Sequence, residues 1–208
     1  MKKWEIITKL KINPSTSSGE KSKIHDVIKI LLNNRGIKTE KEIEEFLDSK
    51  LETVTAKSVG IDSKNLKKAI QRIQLAIENK EQIVVFGDYD VDGICGTAIL
   101  WETLNGLGAD VMPYIPHRID EGYGLSETGI KNIKLKIKNC GLIMTVDNGI
   151  VANKAVDFAN KNNIDVIITD HHVPSSKLPN AFAIVHTTKL CGAGVAYLLA
   201  QEVKSQKS

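Results

Sequence analysis

The chain has 208 residues, of which 42% are hydrophobic and 25% charged, and a formal net charge of +3. These values are close to globular averages and exclude a disordered, a collagen-like and a membrane-embedded protein. The apolar runs are strand-sized, so we expect a cytoplasmic protein with no membrane partner. The cysteines form no CxxC pair, which predicts reduced, mostly buried thiols and no structural zinc at Cys95, Cys140 and Cys191.

The charge is unevenly distributed along the chain. Residues 1–80 carry 17 Lys and Arg against 11 Asp and Glu, a balance of +6, whereas residues 81–208 carry 11 against 14, a balance of −3. A protein committed to nucleic acid usually has a denser basic surface. Charge alone therefore favours a solvated, lysine-rich face on ordinary helices.

Residues 1–80 are predicted to form an N-terminal helical region. Apolar residues recur with helical spacing in three stretches, separated in part by a connector over residues 51–60. Gly36 is typical of the end of the first helix, and Thr39 with Glu42 forms a capping box that begins the second. The apolar positions are Ile24, Val27, Ile28, Leu31 and Leu32, then Ile43, Phe46 and Leu47, then Leu66, Ala69, Ile70, Ile73 and Ile77.

The hydrophobic period changes at Ile83. From there, short continuous apolar runs recur that are typical of strands buried on both faces of a parallel sheet, and helix-length segments separate most of them. The series predicts an α/β fold for residues 81–208, a doubly wound, mainly parallel sheet with ligands beyond the carboxyl ends of its strands. The predicted strands are 83–86, 111–115, 142–146, 166–169 and 182–185, and the helices are 93–105, 126–138, 152–162 and 194–203.

Acidic residues follow three of the predicted strands directly. Each group has an ordinary explanation as a turn, a helix cap or surface chemistry. All of them fall at one edge of the sheet, however, where so many like charges require a counter-charge. Carboxylates combined with an imidazole suit Mn²⁺ or Mg²⁺. The residues are Asp88, Asp90 and Asp92 after the first strand, Asp147 after the third, and Asp170, His171 and His172 after the fourth.

Two other motifs fit the first acidic group less well. The spacing of an EF-hand calcium loop is present, but Ile99 stands where the bidentate glutamate is needed, and a strand precedes the loop. A haloacid-dehalogenase-type phosphatase would use Asp88 as a covalent nucleophile. That interpretation leaves residues 170–172 without a role.

Three segments in combination resemble the motifs of the DHH phosphoesterase family, namely 87–93, 145–150 and 170–172. Four further segments resemble a branch of that family, the single-stranded-DNA exonucleases: 35–37, 46–47, 121–125 and 191–196. The resemblance implies a two-metal phosphodiesterase that uses Mn²⁺ or Mg²⁺. It also implies degradation of single-stranded DNA from the 5′ end, in DNA repair and recombination.

The resemblance also implies roles for individual residues. The expected metal ligands are Asp88, Asp90, Asp92, Asp147 and His171, with Asp147 bridging two cations. Asp170 and His172 are expected at the catalytic centre, where they orient the ligands or contact the phosphate.

Four further residues are candidates for substrate binding. The forked donors of Arg118 could bind a phosphate, although a plain surface arginine is an equal alternative. His186, Gly192 and Gly194 lie around a predicted helix N-terminus that could bind an anion, and the alternative there is a glycine-rich turn.

The sequence departs from the family pattern near its end. A fourth motif with another metal-binding aspartate and a C-terminal domain are expected but not found, which predicts a truncated domain that binds one of its two cations weakly. Two other functions remain open. One is a phosphoesterase for short oligonucleotides or cyclic dinucleotides, and the other is a non-catalytic DNA-binding scaffold of replication. A single-strand-binding protein is a candidate partner besides single-stranded DNA.

Overall fold

The structure, a computed structural model, describes residues 26–205. The chain divides into two compact units, the first ending at Val54 and the second beginning at Thr55. The first contains α1 (Asp26–Asn34), α2 (Glu40–Leu47) and a 3₁₀ turn (Leu51–Thr53). The predicted capping box is confirmed, because Thr39 and Glu42 each accept a hydrogen bond from the other's backbone N–H. The predicted helical position Ile24 lies outside the described residues.

The second unit is built on a five-stranded sheet in which all strands are parallel, in the order β2-β1-β3-β4-β5. The predicted doubly wound α/β fold is therefore confirmed. β2 tolerates Pro113 because it is an edge strand and pairs only with β1. The strands are β1 (Gln82–Phe86), β2 (Val111–Tyr114), β3 (Cys140–Val146), β4 (Asp165–Asp170) and β5 (Ala183–His186).

Helices cover both faces of this sheet. Successive strand residues point to opposite faces, so one set packs against α6 and α7 and the other against α3, α4 and α8. The short helix α5 has no counterpart among the predicted elements. The helices of this unit are α3 (Ser63–Glu78), α4 (Val91–Gly106), α5 (Arg118–Glu121), α6 (Glu127–Lys136), α7 (Asn153–Lys161) and α8 (Gly192–Ser205).

Helix α3 belongs to the second unit. Asp62 caps its N-terminus by accepting a hydrogen bond from the backbone N–H of Asn65. The Asn65 side chain in turn accepts a hydrogen bond from the backbone of Ile184 in β5, at 3.0 Å. By compactness the chain divides after Val54. The predicted division into a helical region of residues 1–80 and an α/β domain of residues 81–208 stays a prediction.

The three cysteines are free, but the expectation that they are mostly buried is wrong. Cys95 and Cys191 are exposed, since Cys95 lies on the outer side of α4 and Cys191 precedes α8. Cys140 is partly buried, and burial raises the pKa of its thiol to about 11. No helix between residues 26 and 205 is both long and apolar enough to cross a membrane.

Candidate metal centre

The acidic residues that follow the strands meet at one edge of the sheet. Asp88 follows β1, Asp147 follows β3 and Asp170 ends β4, and these three strands are neighbours. All three side chains are buried. The chain leaves β1 for β2 on one side and reaches β3 on the other, so the cluster lies at the topological switch point where this class of sheet binds its ligands.

Asp88, Asp90 and Asp147 form the first group of metal-binding donors. One carboxylate oxygen from each lies within 4.8 Å of the other two. Asp88 Oδ1 accepts a hydrogen bond from the backbone of Tyr89 at 2.8 Å, and Asp90 Oδ1 accepts one from Gly93 at 2.9 Å. The second bond caps α4, so the local structure that begins the helix also orients the Asp90 carboxylate.

Asp147, His171 and His172 form the second group, again with donor atoms within 4.8 Å of one another. His171 Nε2 lies 3.0 Å from Asp147 Oδ1. Asp147 is common to both groups, which supports the predicted bridging role. It occupies the middle position because β3 lies between β1 and β4.

The Asp147 carboxylate is in an unfavourable environment for a negative charge. Its backbone has a φ of 62°, and its N–H donates to the Thr169 carbonyl at 3.0 Å. Oδ1 is buried and accepts no hydrogen bond within the described residues, since His171 approaches outside hydrogen-bonding geometry. Burial and the negative charges of Asp92 and Asp90 raise the pKa of Asp147 to about 7. A buried carboxylate oxygen without a hydrogen-bond partner, between two sets of oxygen and nitrogen donors, fits a bound cation.

Asp170 is hydrogen-bonded both to the segment 145–150 and to the two histidines that follow it in the segment 170–172. Oδ2 accepts a hydrogen bond from the backbone of Ile150 at 2.9 Å. Oδ1 accepts bonds from the backbone N–H groups of His171 and His172 and lies 2.8 Å from His172 Nδ1. Partial burial opposes protonation of His172, but the contact with Asp170 outweighs it and raises the pKa of the imidazole. These contacts support an orienting role for Asp170.

Asp92 is placed differently from the other acids. It is outside both donor groups, although its Oδ2 lies 3.7 Å from His171 Nε2. Its two oxygens accept hydrogen bonds from the backbone of Gly192 at 2.6 Å and Ala193 at 2.7 Å. The carboxylate therefore binds the N-terminus of α8, and its assignment as a metal ligand stays a prediction.

The four candidate substrate-binding residues are only partly available. Arg118 is exposed, and its guanidinium carbon lies 4.6 Å from the centre of the Tyr89 ring, on which it stacks. Tyr89 is the residue between Asp88 and Asp90 in the sequence. His186 Nε2 donates to the His172 carbonyl at 2.7 Å. The Gly192 amide is engaged by Asp92, and the amide of Gly194 contacts the Cys191 thiol. The anion at this helix N-terminus is thus the protein's own carboxylate, which leaves no free amide at Gly192 for a phosphate.

Sequence reasoning overlooked two residues of the site. Tyr123 is exposed, but desolvation of its phenol beside the cluster and the negative charges of Asp88 and Asp147 raise the pKa of that phenol to about 12. Asn148 is buried, donates to the Val146 carbonyl at 2.8 Å and accepts from the Leu125 amide at 3.1 Å. Tyr123 lies in the segment 121–125 and Asn148 in the segment 145–150, and the resemblance of these segments to family motifs could have indicated that both residues belong to the site.

Replacing Asn148 with leucine is expected to lower the free energy of unfolding by about 2 kcal/mol, because a side chain of similar shape leaves the Leu125 amide and the Val146 carbonyl buried and unpaired. Urea denaturation measures the change. The exposed Asn139→Leu serves as a control and is expected to change stability by less than about 0.5 kcal/mol. Equal stability of the Asn148 variant and the unaltered chain would contradict the prediction.

Comparison with known proteins agrees with this geometry. The sequence model of the DHH family, N-terminal domain, matches residues 82–208. The single-stranded-DNA-specific exonuclease RecJ of Bacillus subtilis is 38% identical over 190 residues, which cover 87% of this chain and 24% of the relative. The RecJ of Thermus thermophilus is 41% identical over 143 residues, covering 65% and 21%. The chain therefore spans about a quarter of the length of these curated relatives.

Solved structures agree with the sequence comparison. A crystal structure of exonuclease RecJ bound to manganese has a TM-score of 0.61 at 38% identity and covers 69% of this chain and 38% of that one. RecJ from Thermus thermophilus in complex with Mn²⁺ has a TM-score of 0.61 at 32% identity, with coverages of 85% and 24%. The family match, the parallel sheet and the acids at its switch point all lead to one conclusion: the chain belongs to the DHH family and contains its N-terminal domain from residue 82 onward.

Proposed function

We propose that this chain is the metal-binding part of a RecJ-like exonuclease that hydrolyses single-stranded DNA from the 5′ end with Mn²⁺ or Mg²⁺. The observation that carries the proposal is the buried Asp147 carboxylate, which is shared by two donor groups and has an oxygen with no hydrogen-bond partner in the described part of the chain. The relatives named as single-stranded-DNA-specific exonucleases and the manganese-bound structures support it. We place the protein in the cytoplasm, in DNA repair and recombination, with a single-strand-binding protein as a candidate partner.

The donor set fits two divalent cations. Asp88, Asp90 and Asp147 would hold one, and Asp147 with His171 would hold the other, His172 lying in the same group. Mixed oxygen and nitrogen donors suit Mn²⁺ in particular. When bound, such cations lower the pKa of a coordinated water and stabilise the charge of a leaving oxygen.

The chain's own residues supply orientation and charge. Asp170 holds the His172 ring and the backbone after β3 in place through its four contacts. Arg118, held over the Tyr89 ring, offers a guanidinium that can pair with a phosphate close to the acids. Tyr123 carries its phenol proton at neutral pH, as tyrosine ordinarily does, and its pKa of about 12 extends that into alkaline solution, so it can donate a hydrogen bond to a phosphate oxygen.

The test is an incubation of the purified chain with a labelled single-stranded oligonucleotide, the matching duplex and a dinucleotide, each with Mn²⁺, Mg²⁺ or EDTA. We expect metal-dependent cleavage of the single strand only. Degradation from the 5′ end releases a 5′ label at once in the first product, whereas a 3′-labelled strand shortens progressively.

Each other outcome favours a different function. Equal degradation of the duplex contradicts single-strand selectivity. Cleavage of the dinucleotide alone favours a phosphoesterase of short oligonucleotides or cyclic dinucleotides. Binding of Mn²⁺ and of DNA without cleavage favours a non-catalytic scaffold.

A further inference from the structure

Asp92 connects two helices that are far apart in the sequence. It lies in the first turn of α4, and its partners at the start of α8 follow 100 and 101 residues later. Each carboxylate oxygen of Asp92 accepts one backbone N–H. A carboxylate at a helix N-terminus is stabilised by the amides and by the helix dipole. Asp92 therefore fixes the position of the first residues of α8.

The same end of α8 is in contact with Asp147. A Cβ atom added at Gly192 would lie 2.6 Å from Asp147 Oδ1 and 2.8 Å from its Cγ, which is closer than any real contact. The backbone of Gly192 thus packs directly against the Asp147 carboxylate, with no room for a side chain between them. Since Oδ1 of Asp147 accepts no hydrogen bond from residues 26–205, this packing contact is one of the features that restrain its direction.

We propose that Asp92 is a positioning residue that holds the N-terminus of α8 against Asp147 and so orients the carboxylate shared by the two donor groups. This inference rests on the proposed function and differs from the metal-ligand role that the sequence predicted. Both oxygens of Asp92 are already used by backbone amides, whereas Asp88, Asp90 and Asp147 converge on one another. The position of α8 is thereby coupled to the metal centre.

The test compares Asp92→Asn and Gly192→Ala, singly and together, in the full chain. Asparagine keeps the shape of Asp92 but accepts at only one atom, so one amide of α8 loses its partner. We expect the variant to bind the same number of Mn²⁺ ions as the unaltered chain, measured by electron paramagnetic resonance, with weaker affinity. The kcat should fall about 10- to 100-fold while KM for the oligonucleotide changes less than twofold. The double variant should be no worse than the worse single variant, because both act through α8.

Asp62→Asn is the matched control, since Asp62 also caps a helix by accepting a backbone N–H, at 2.7 Å, but lies outside the metal centre. It is expected to lower stability and leave kcat unchanged, which separates positioning from simple capping. Loss of one bound Mn²⁺ in Asp92→Asn would show that Asp92 is a metal ligand and not a positioning residue. An unchanged kcat, or additive effects in the double variant, would also overturn the inference.

Failure of the proposed function is recognised separately, because the unaltered chain would then cleave no substrate. The Mn²⁺ titration still decides the inference in that case. The inference is supported if Asp92→Asn and Gly192→Ala both bind Mn²⁺ more weakly than the unaltered chain and bind the same number of ions. An unchanged affinity or a lost ion in Asp92→Asn contradicts it.

Discussion

Replacing Asp147 with asparagine is expected to reduce metal-dependent cleavage by a factor on the order of 10³. Asp147 is the one residue common to both donor groups, so its loss affects both cations. Asparagine retains one oxygen but removes the negative charge. The exposed Asp157→Asn on α7 is the matched control and is expected to keep full activity. Cleavage by Asp147→Asn within tenfold of the unaltered chain would contradict the assignment.

The same substitution is expected to stabilise the metal-free protein above neutral pH. Burial and the charges of Asp92 and Asp90 raise the pKa of Asp147 from 3.8 to about 7. An acid whose pKa is higher in the folded state stabilises the fold fully below its unfolded pKa, and this contribution is lost as the pH rises towards the folded pKa. Between pH 4 and pH 7 the free energy of unfolding should therefore fall by about 2–4 kcal/mol at this residue.

Urea denaturation in EDTA at pH 4.5 and pH 8 measures this effect. The unaltered chain is expected to lose more stability between the two values than Asp147→Asn does. Addition of Mn²⁺ at pH 8 should then stabilise the unaltered chain, because the ion binds only the folded state, and should stabilise the variant much less. Equal pH dependence of the two proteins would show that the Asp147 carboxyl is not held in a destabilising environment.

A second large effect is expected at the opposite edge of the sheet, where Arg72 of α3 is almost fully buried at 7% exposure. Its Nε donates to Asp165 of β4 and one terminal nitrogen to Glu81, each at 2.6 Å, and that nitrogen also donates to the Gly141 carbonyl of β3 at 3.1 Å. One side chain thus joins α3 to the amino-terminal ends of three neighbouring strands.

Replacing Arg72 with leucine is expected to lower the free energy of unfolding by about 3 kcal/mol. The two acids are then left close together without their counter-charge, and the Gly141 carbonyl loses its donor. Arg72→Lys keeps the charge but not the forked geometry and should give an intermediate loss. Urea denaturation measures stability, and the cleavage rate per folded molecule should not change, because the metal centre lies at the other edge. A loss below about 0.5 kcal/mol for the leucine variant would contradict this account.

The sheet and the meeting of its acids were predictable from local pattern. Apolar runs such as 142–146 are typical of buried strands, and parallel strands bring their carboxyl ends to one edge, so Asp88, Asp147 and Asp170 had to be neighbours once the order was known. The short helix α5 was not predictable, because four residues are too few for a helical period. The exposure of Cys95 was also missed, because the apolar residues around it do not indicate which side of α4 faces the solvent.

The role of Asp92 depended on contacts that no local pattern contains. Asp90 and Asp92 have similar sequence surroundings, yet Asp90 caps its own helix through Gly93, three residues away, whereas Asp92 binds amides 100 and 101 residues away. The partners of Arg72 lie 9, 69 and 93 residues from it. Periodicity and capping arise between residues close in the chain and can be read from the sequence. Hydrogen bonds between distant segments depend on how helices pack on the sheet, which is decided when the whole unit folds.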